Sequence, residues 1–186
     1  MPEFPKPYAD FVARLRVPSG FLIVGVFAWL SHPSAQSLEI GLPVALAGLA
    51  LRAWAAGCLA KNRELSTSGP YAYTRNPLYL GTLIVAVGLV MAGRNWILGA
   101  LFAAVFVLVY LPVIQLEQQH LRSLFPDYVA YSKAVPALLP RFSPGMQKNP
   151  HPFQWSLYQR NKEFQAAIGF AAGMMYLVWK LWAYGS

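Results

Sequence analysis

From Trp96 to Gln115 the chain runs without one charged side chain. A helix needs about 20 predominantly apolar residues to cross the hydrocarbon core of a bilayer, so this stretch alone is long enough. Other apolar stretches lie on either side of it. Helices keep their backbone hydrogen bonds internal, which is what lipid demands. The expectation is therefore an all-α integral membrane protein with about five transmembrane helices, near residues 17–31, 38–60, 77–92, 96–121 and 165–184. All belong to one membrane domain, 1–186.

Composition agrees. Only 12% of residues are charged and 56% are hydrophobic, against about 25% charged in soluble domains. A basic start, a short apolar core and "HPSAQS" have the outline of a signal peptide. The start is long for that, however, and Val17 to Ser31 is read as a membrane helix. The third stretch holds fifteen apolar residues, Leu78 to Ala92. As a helix that is roughly 22 Å, short of a core about 30 Å thick. "GRN" at 93–95 leaves room only for a tight hairpin to the fourth helix.

The net charge of +8 has no dense basic run behind it, so nucleic acid is not an expected partner. The cations instead flank the apolar stretches. With five crossings and the N-terminus inside, the cytoplasmic side receives Lys6, Arg14 and Arg16, then Lys61, Arg63 and Arg75, then Arg122 to Lys162. The other side receives Arg94 and Lys180. Positive charge collects on the cytoplasmic side of membrane proteins. The N-terminus is thus expected in the cytoplasm and the C-terminus opposite. Cys58 is the only cysteine, and His32, His120 and His151 are far apart. No metal site is expected.

Two stretches carry the chemistry, in cytoplasmic segments 61–77 and 116–163. The first is "GPYAYTRNPLYLG", residues 69–81. On the expected topology it meets residues 115–121 at one end of the hairpin formed by the third and fourth helices. Asn76-Pro77 suits a helix start, with Asn as cap and Pro in the first position. The same N-terminus offers N–H groups and a positive dipole end to a carboxylate or phosphate. Arg75 is either a bidentate clamp or a headgroup anchor. Tyr71, Tyr73 and Tyr79 are either interfacial belt residues or aromatic faces for a cationic ligand. Glu117 is either solvated or receives hydroxyl or amino groups. Arg52 lies inside the second apolar stretch, where charge is expensive. It either snorkels or meets a bundle-facing partner or an anionic ligand. Residues 116–132 are expected to continue the fourth helix until "VPALLP" ends it.

"GPYAYTRNPLYLG" resembles the GPY-x-Y-x-RHP-x-Y-x-G signature of isoprenylcysteine carboxyl methyltransferases and the related phospholipid N-methyltransferases. "LEQQHLRSLFPDYVAYSKAVPALLPRF" resembles the second signature of that family, and the likeness covers about residues 45–142, "LRAW" included. The resemblance implies methyl transfer from S-adenosylmethionine to a lipid-like or prenylated acceptor at the cytoplasmic membrane face. It implies cofactor binding by Tyr71, Tyr73, Arg75, Asn76, Pro77, Tyr79, Glu117 and Gln118, with Arg75 and Glu117 catalytic. Tyr128, Tyr131 and Arg141 match later signature positions; with Arg52 they are the expected substrate-binding residues. Asn76 stands where the family has histidine, Gln118 where it has a second glutamate, and Phe125-Pro126 where it has Phe-Gly.

In-line methyl displacement from a sulfonium is carried largely by positioning. A carboxylate acceptor needs no general base; for an amine or thiol, Glu117 is the candidate base. The sequence contains no GxGxxG. Other readings are a phospholipid N-methyltransferase, a sterol-type reductase using NADPH, and a non-catalytic membrane module.

Overall fold

The computed structural model describes residues 4–147 and 152–184. His151 and Lys148 lie outside them. Among the described residues every regular element is helical. These are α1 (Lys6–Leu30), α2 (Ala35–Gly57), a short 3₁₀ turn (Gly69–Ala72), α3 (Pro77–Gly93), α4 (Trp96–Leu124), α5 (Tyr128–Ala134), α6 (Trp155–Arg160) and α7 (Phe164–Tyr184). Three of these, α2, α4 and α7, are long and apolar enough to cross a membrane. Bent α1 makes four if it counts as one span, and α3 is a shorter apolar helix beside them. At 17 residues, α3 spans about 25 Å.

The chain divides into two compact units. The first holds Met1–Leu46, Val85–Gln118 and Gly169–Ser186; the second holds Ala47–Ile84 and Gln119–Ile168.

In the first unit, Phe27, Ala92, Leu98 and Leu177 form a buried core. α1 begins at Lys6, well before the apolar run at 17, and its start is tied to α4. Phe4 donates its N–H to Gln115 Oε1 at 2.7 Å and accepts from Gln115 Nε2 at 3.0 Å. A local π-turn at Phe106–Tyr110 precedes Pro112. Proline has no N–H to give the carbonyl four residues back. That carbonyl, of Leu108, accepts instead from the Tyr8 hydroxyl at 2.7 Å. The hairpin turns on Asn95, whose side-chain oxygen accepts from Ile97 N–H while its amide donates to Leu30 O. At the end of α1, Lys180 Nζ donates to the carbonyls of Ala28 and Trp29.

α2 and α3 pack with almost no side chain between them. A Cβ on Gly88 would lie 2.5 Å from Ala45 N and 2.7 Å from Gly41 O. In the second unit, one on Gly81 would lie 2.8 Å from Gly48 O. Glycine permits this approach, a common device between membrane helices. Gly69 turns the chain at φ 57°, a conformation costly for other residues. The helix expected to run on past 116 is interrupted. α4 stops at Leu124, Pro126 occupies the break, and α5 resumes at Tyr128.

Candidate functional site

The second unit stitches the two signatures together. Residues 73–76 link the 3₁₀ turn to α3, and the turn and this link lie outside any long helix. The segment after α5 supplies partners for their backbone groups. Arg75 N–H donates to Pro136 O at 2.9 Å, Arg141 N–H to Tyr73 O at 3.1 Å, and Gly145 N–H to Ala72 O at 2.8 Å.

Side chains close the seam. The Tyr131 hydroxyl donates to Tyr71 O at 2.7 Å. Arg75 Nη1 donates to the Tyr128 hydroxyl at 3.0 Å. Asn76 Nδ2 donates to Ala137 O at 2.8 Å. The buried Thr74 hydroxyl lies 3.2 and 3.0 Å from the carbonyls of Ala137 and Leu138. Arg141 Nη1 donates to Ala134 O. Residues of the first signature thus meet those of the second in pairs: Tyr71 with Tyr131, Tyr73 with Arg141, Arg75 with Tyr128.

Tyr128 and Tyr131 are almost wholly buried and pack with Val135. Burial raises the pKa of both phenols; around Tyr128 the nearby Arg75 guanidinium opposes the rise. Both hydroxyls therefore keep their protons at neutral pH and can donate. Tyr71 and Tyr79 are buried, while Tyr73, Arg75 and Asn76 are half-buried. Tyr71 packs with Ala55 and Cys58. Pro77 is the first residue of α3. Asn76 starts that helix through its backbone, with Leu80 N–H bonding to its carbonyl at 3.0 Å.

Arg52 is held apart from this seam. Its Nε donates to Glu163 Oε1 at 2.6 Å and its Nη2 to Glu163 Oε2 at 3.0 Å. Its Nη1 reaches Leu78 O at 3.3 Å and the Thr82 hydroxyl. This is a two-pronged ion pair with side chains 22% and 10% exposed. Glu163 carried no sequence expectation, nor did Asn161, whose amide donates to Ala56 O and Leu59 O at 2.9 Å and closes the end of α2. A signal for Glu163 existed: a cation inside an apolar helix requires a partner, and few carboxylates are available in so acid-poor a chain.

Glu117 and Gln118 belong to the first unit, on α4. There Glu117 is exposed and Gln118 half-buried. The donor chemistry of the 69–79 segment suits S-adenosylmethionine. A guanidinium at a helix start matches its carboxylate, and aromatic rings match its sulfonium and adenine. Among the described residues no three His, Cys, Asp or Glu side chains gather as a metal-binding group.

An all-helical integral membrane protein with a two-signature seam at the ends of its second and third helices is a narrow class. Comparison with known proteins narrows it further. Residues 45–128 match the model of the phospholipid methyltransferase family. The chain is 33% identical over 141 residues to a protein-S-isoprenylcysteine O-methyltransferase of Schizosaccharomyces pombe, covering 73% of this chain and 59% of that protein. It is 35% identical over 135 residues to the cobalt-zinc-cadmium resistance protein CzcN of Cupriavidus metallidurans, covering 72% and 61%. It is 29% identical over 172 residues to the nickel-cobalt-cadmium resistance protein NccN of Alcaligenes xylosoxydans xylosoxydans, covering 84% and 79%. The chain thus spans about three fifths of the length of two of these relatives. No solved structure matched it. The phospholipid methyltransferase model and the isoprenylcysteine O-methyltransferase relative together support an isoprenylcysteine carboxyl methyltransferase and phospholipid methyltransferase-like family of integral membrane proteins for this chain.

Proposed function

We propose that the chain is a membrane methyltransferase. It uses S-adenosylmethionine at the cytoplasmic face and methylates a lipophilic acceptor, the carboxylate of an isoprenylated cysteine or a related lipid. The observation that carries the reading is the seam: Tyr71, Tyr73 and Arg75 each engage a residue of the second signature. A seam of that kind fixes the Arg75–Tyr79 segment, and positioning is what displacement chemistry needs.

The cofactor, when bound, supplies an electrophilic methyl group on a sulfonium. In this reading Arg75 binds the cofactor's carboxylate at the start of α3, with Asn76, Pro77 and Tyr79 beside it. Tyr71 and Tyr73 line the same segment. The same cofactor role is proposed for Glu117 and Gln118 on the strength of the sequence signature. Glu117 also serves as base if the acceptor is an amine or thiol. Tyr128, Tyr131 and Arg141 act on the acceptor side while holding the seam. Arg52 contributes through its bonds to Leu78 and Thr82 in the first two turns of α3.

Calorimetry in detergent tests this. S-adenosylhomocysteine should bind at least tenfold more tightly than NADPH, and Arg75→Ala and Glu117→Ala should each abolish that binding while the protein stays helical by circular dichroism. The reverse preference would replace the reading with a reductase, and wild-type affinity in both variants would place the cofactor elsewhere. Product analysis with prenylated cysteine and phosphatidylethanolamine as rival acceptors then separates carboxyl from amine methylation.

A further inference from the structure

Phe142 is fully exposed and Leu139 is 81% exposed. Neither sits on a membrane helix. They lie in a stretch pinned on both sides: Pro136 and Ala137 accept from Arg75 and Asn76, and Arg141 and Gly145 donate to Tyr73 and Ala72. The loop is therefore held in one shape, and that shape turns its two large apolar side chains outward.

Its place in the second unit is also defined. The loop bonds to residues 72–76, and α3 starts at Pro77. A second exposed apolar group marks the same boundary. Gln154 N–H bonds to Gly57 O at the end of α2, the Phe153 ring lies against Gly57, and neighbouring Trp155 is 60% exposed. Helix ends with aromatic side chains beside them are where hydrocarbon gives way to headgroups. Charge adds the second signal. Lys133, Arg141, Arg160 and Lys162 are exposed in this part of the unit. The acids of the second unit are Glu64, Asp127 and Glu163, and Glu163 is neutralised by Arg52. Exposed apolar groups flanked by cations fit the surface of an anionic bilayer.

We infer that the 139–142 loop is an interfacial anchor: Leu139 and Phe142 insert at the headgroup boundary of an anionic lipid surface. Because Pro136, Ala137 and Arg141 bond to residues 73–76, the anchor holds the proposed site beside the lipid surface that carries the acceptor. That last consequence rests on the methyltransferase reading; the anchor itself does not.

The test uses the full chain in nanodiscs of phosphatidylcholine, with and without phosphatidylglycerol. In a Cys58→Ala background, spin labels are placed at Leu139→Cys, Phe142→Cys and, as control, the exposed loop position Lys61→Cys. Labels at 139 and 142 should collide more with oxygen than with a water-soluble nickel chelate, and more so with phosphatidylglycerol present. The control should show the opposite preference. Labels at 139 and 142 as water-accessible as the control overturn the anchor. Embedding indifferent to phosphatidylglycerol overturns the anionic-surface reading. In the double variant Leu139→Ser, Phe142→Ser, the KM for a vesicle-borne acceptor should rise at least tenfold with S-adenosylhomocysteine affinity unchanged; an unchanged KM overturns the link to the site. A wild type that transfers no methyl group sinks the functional reading, while the collision data still decide the anchor.

Discussion

Arg52 and Glu163 form the most consequential pair in the second unit. A bidentate pair in low dielectric is costly to break by halves, because the remaining charge loses its partner. Glu163→Ala should destabilise the protein by about 3 kcal/mol, read as a clear fall in thermal midpoint in detergent. The double change Arg52→Met, Glu163→Leu should recover most of that loss. If Glu163→Ala left the midpoint unmoved, the pair would contribute nothing. Asn76 makes a second case. It stands at the family's histidine position, and its amide closes the seam through Ala137 O. Asn76→Ala should cost about 1 kcal/mol, the typical net value of one hydrogen bond, and weaken S-adenosylhomocysteine binding. Asn76→His should keep binding, since an imidazole N–H can serve the same carbonyl; calorimetry on both variants decides. From sequence, Asn76 reads as a cap, because the pattern Asn-Pro shows only its local use. Its long-range bond to residue 137 leaves no trace in local pattern.

Among the elements, α2 and α3 depend on backbone approaching backbone. Gly88→Ala should destabilise by about 1–3 kcal/mol, as overpacking generally does, because the atoms that must move are Ala45 N and Gly41 O. Gly25→Ala on α1 meets nothing within 4 Å and should be silent; thermal midpoints of the two variants measure the contrast. The apolar helices were readable because a run such as Trp96 to Gln115 has no alternative in water. The first eleven residues of α1 were not. Lys6 to Arg16 is mixed in polarity, and its helix is held by Gln115 and Leu108, about a hundred positions away. The break at Pro126 is hidden in the sequence for a related reason. The helical pattern resumes directly after it, and only tertiary contacts of Tyr128 and Tyr131 set α5 apart.

For the molecule as a whole, charge asymmetry argues for a cytoplasmic N-terminus and a C-terminus on the far side. A reporter fused after Ser186 should be active only where that far side permits, and an N-terminal fusion should give the opposite result. Identical signals from both ends would require an even number of crossings. The class of the protein could be read from composition and the two signatures. The pairing Tyr71 with Tyr131 and Arg75 with Tyr128 could not, because motif spacing says which residues matter and not which atoms meet. Arg52 shows the intermediate case: its need for a partner was readable, the identity of Glu163 was not.

The seam also has a bearing on biosynthesis. Its two edges, residues 72–76 and 136–145, are more than fifty residues apart, and all of α4 is made between them. During synthesis the first edge emerges with its carbonyls and amides lacking their eventual partners. It must wait, hydrated, until α5 and the following loop have left the ribosome. A nascent chain halted after α4 would carry the family's first signature intact and still have no assembled site. The seam therefore closes late and all at once, only after both of its edges have been made.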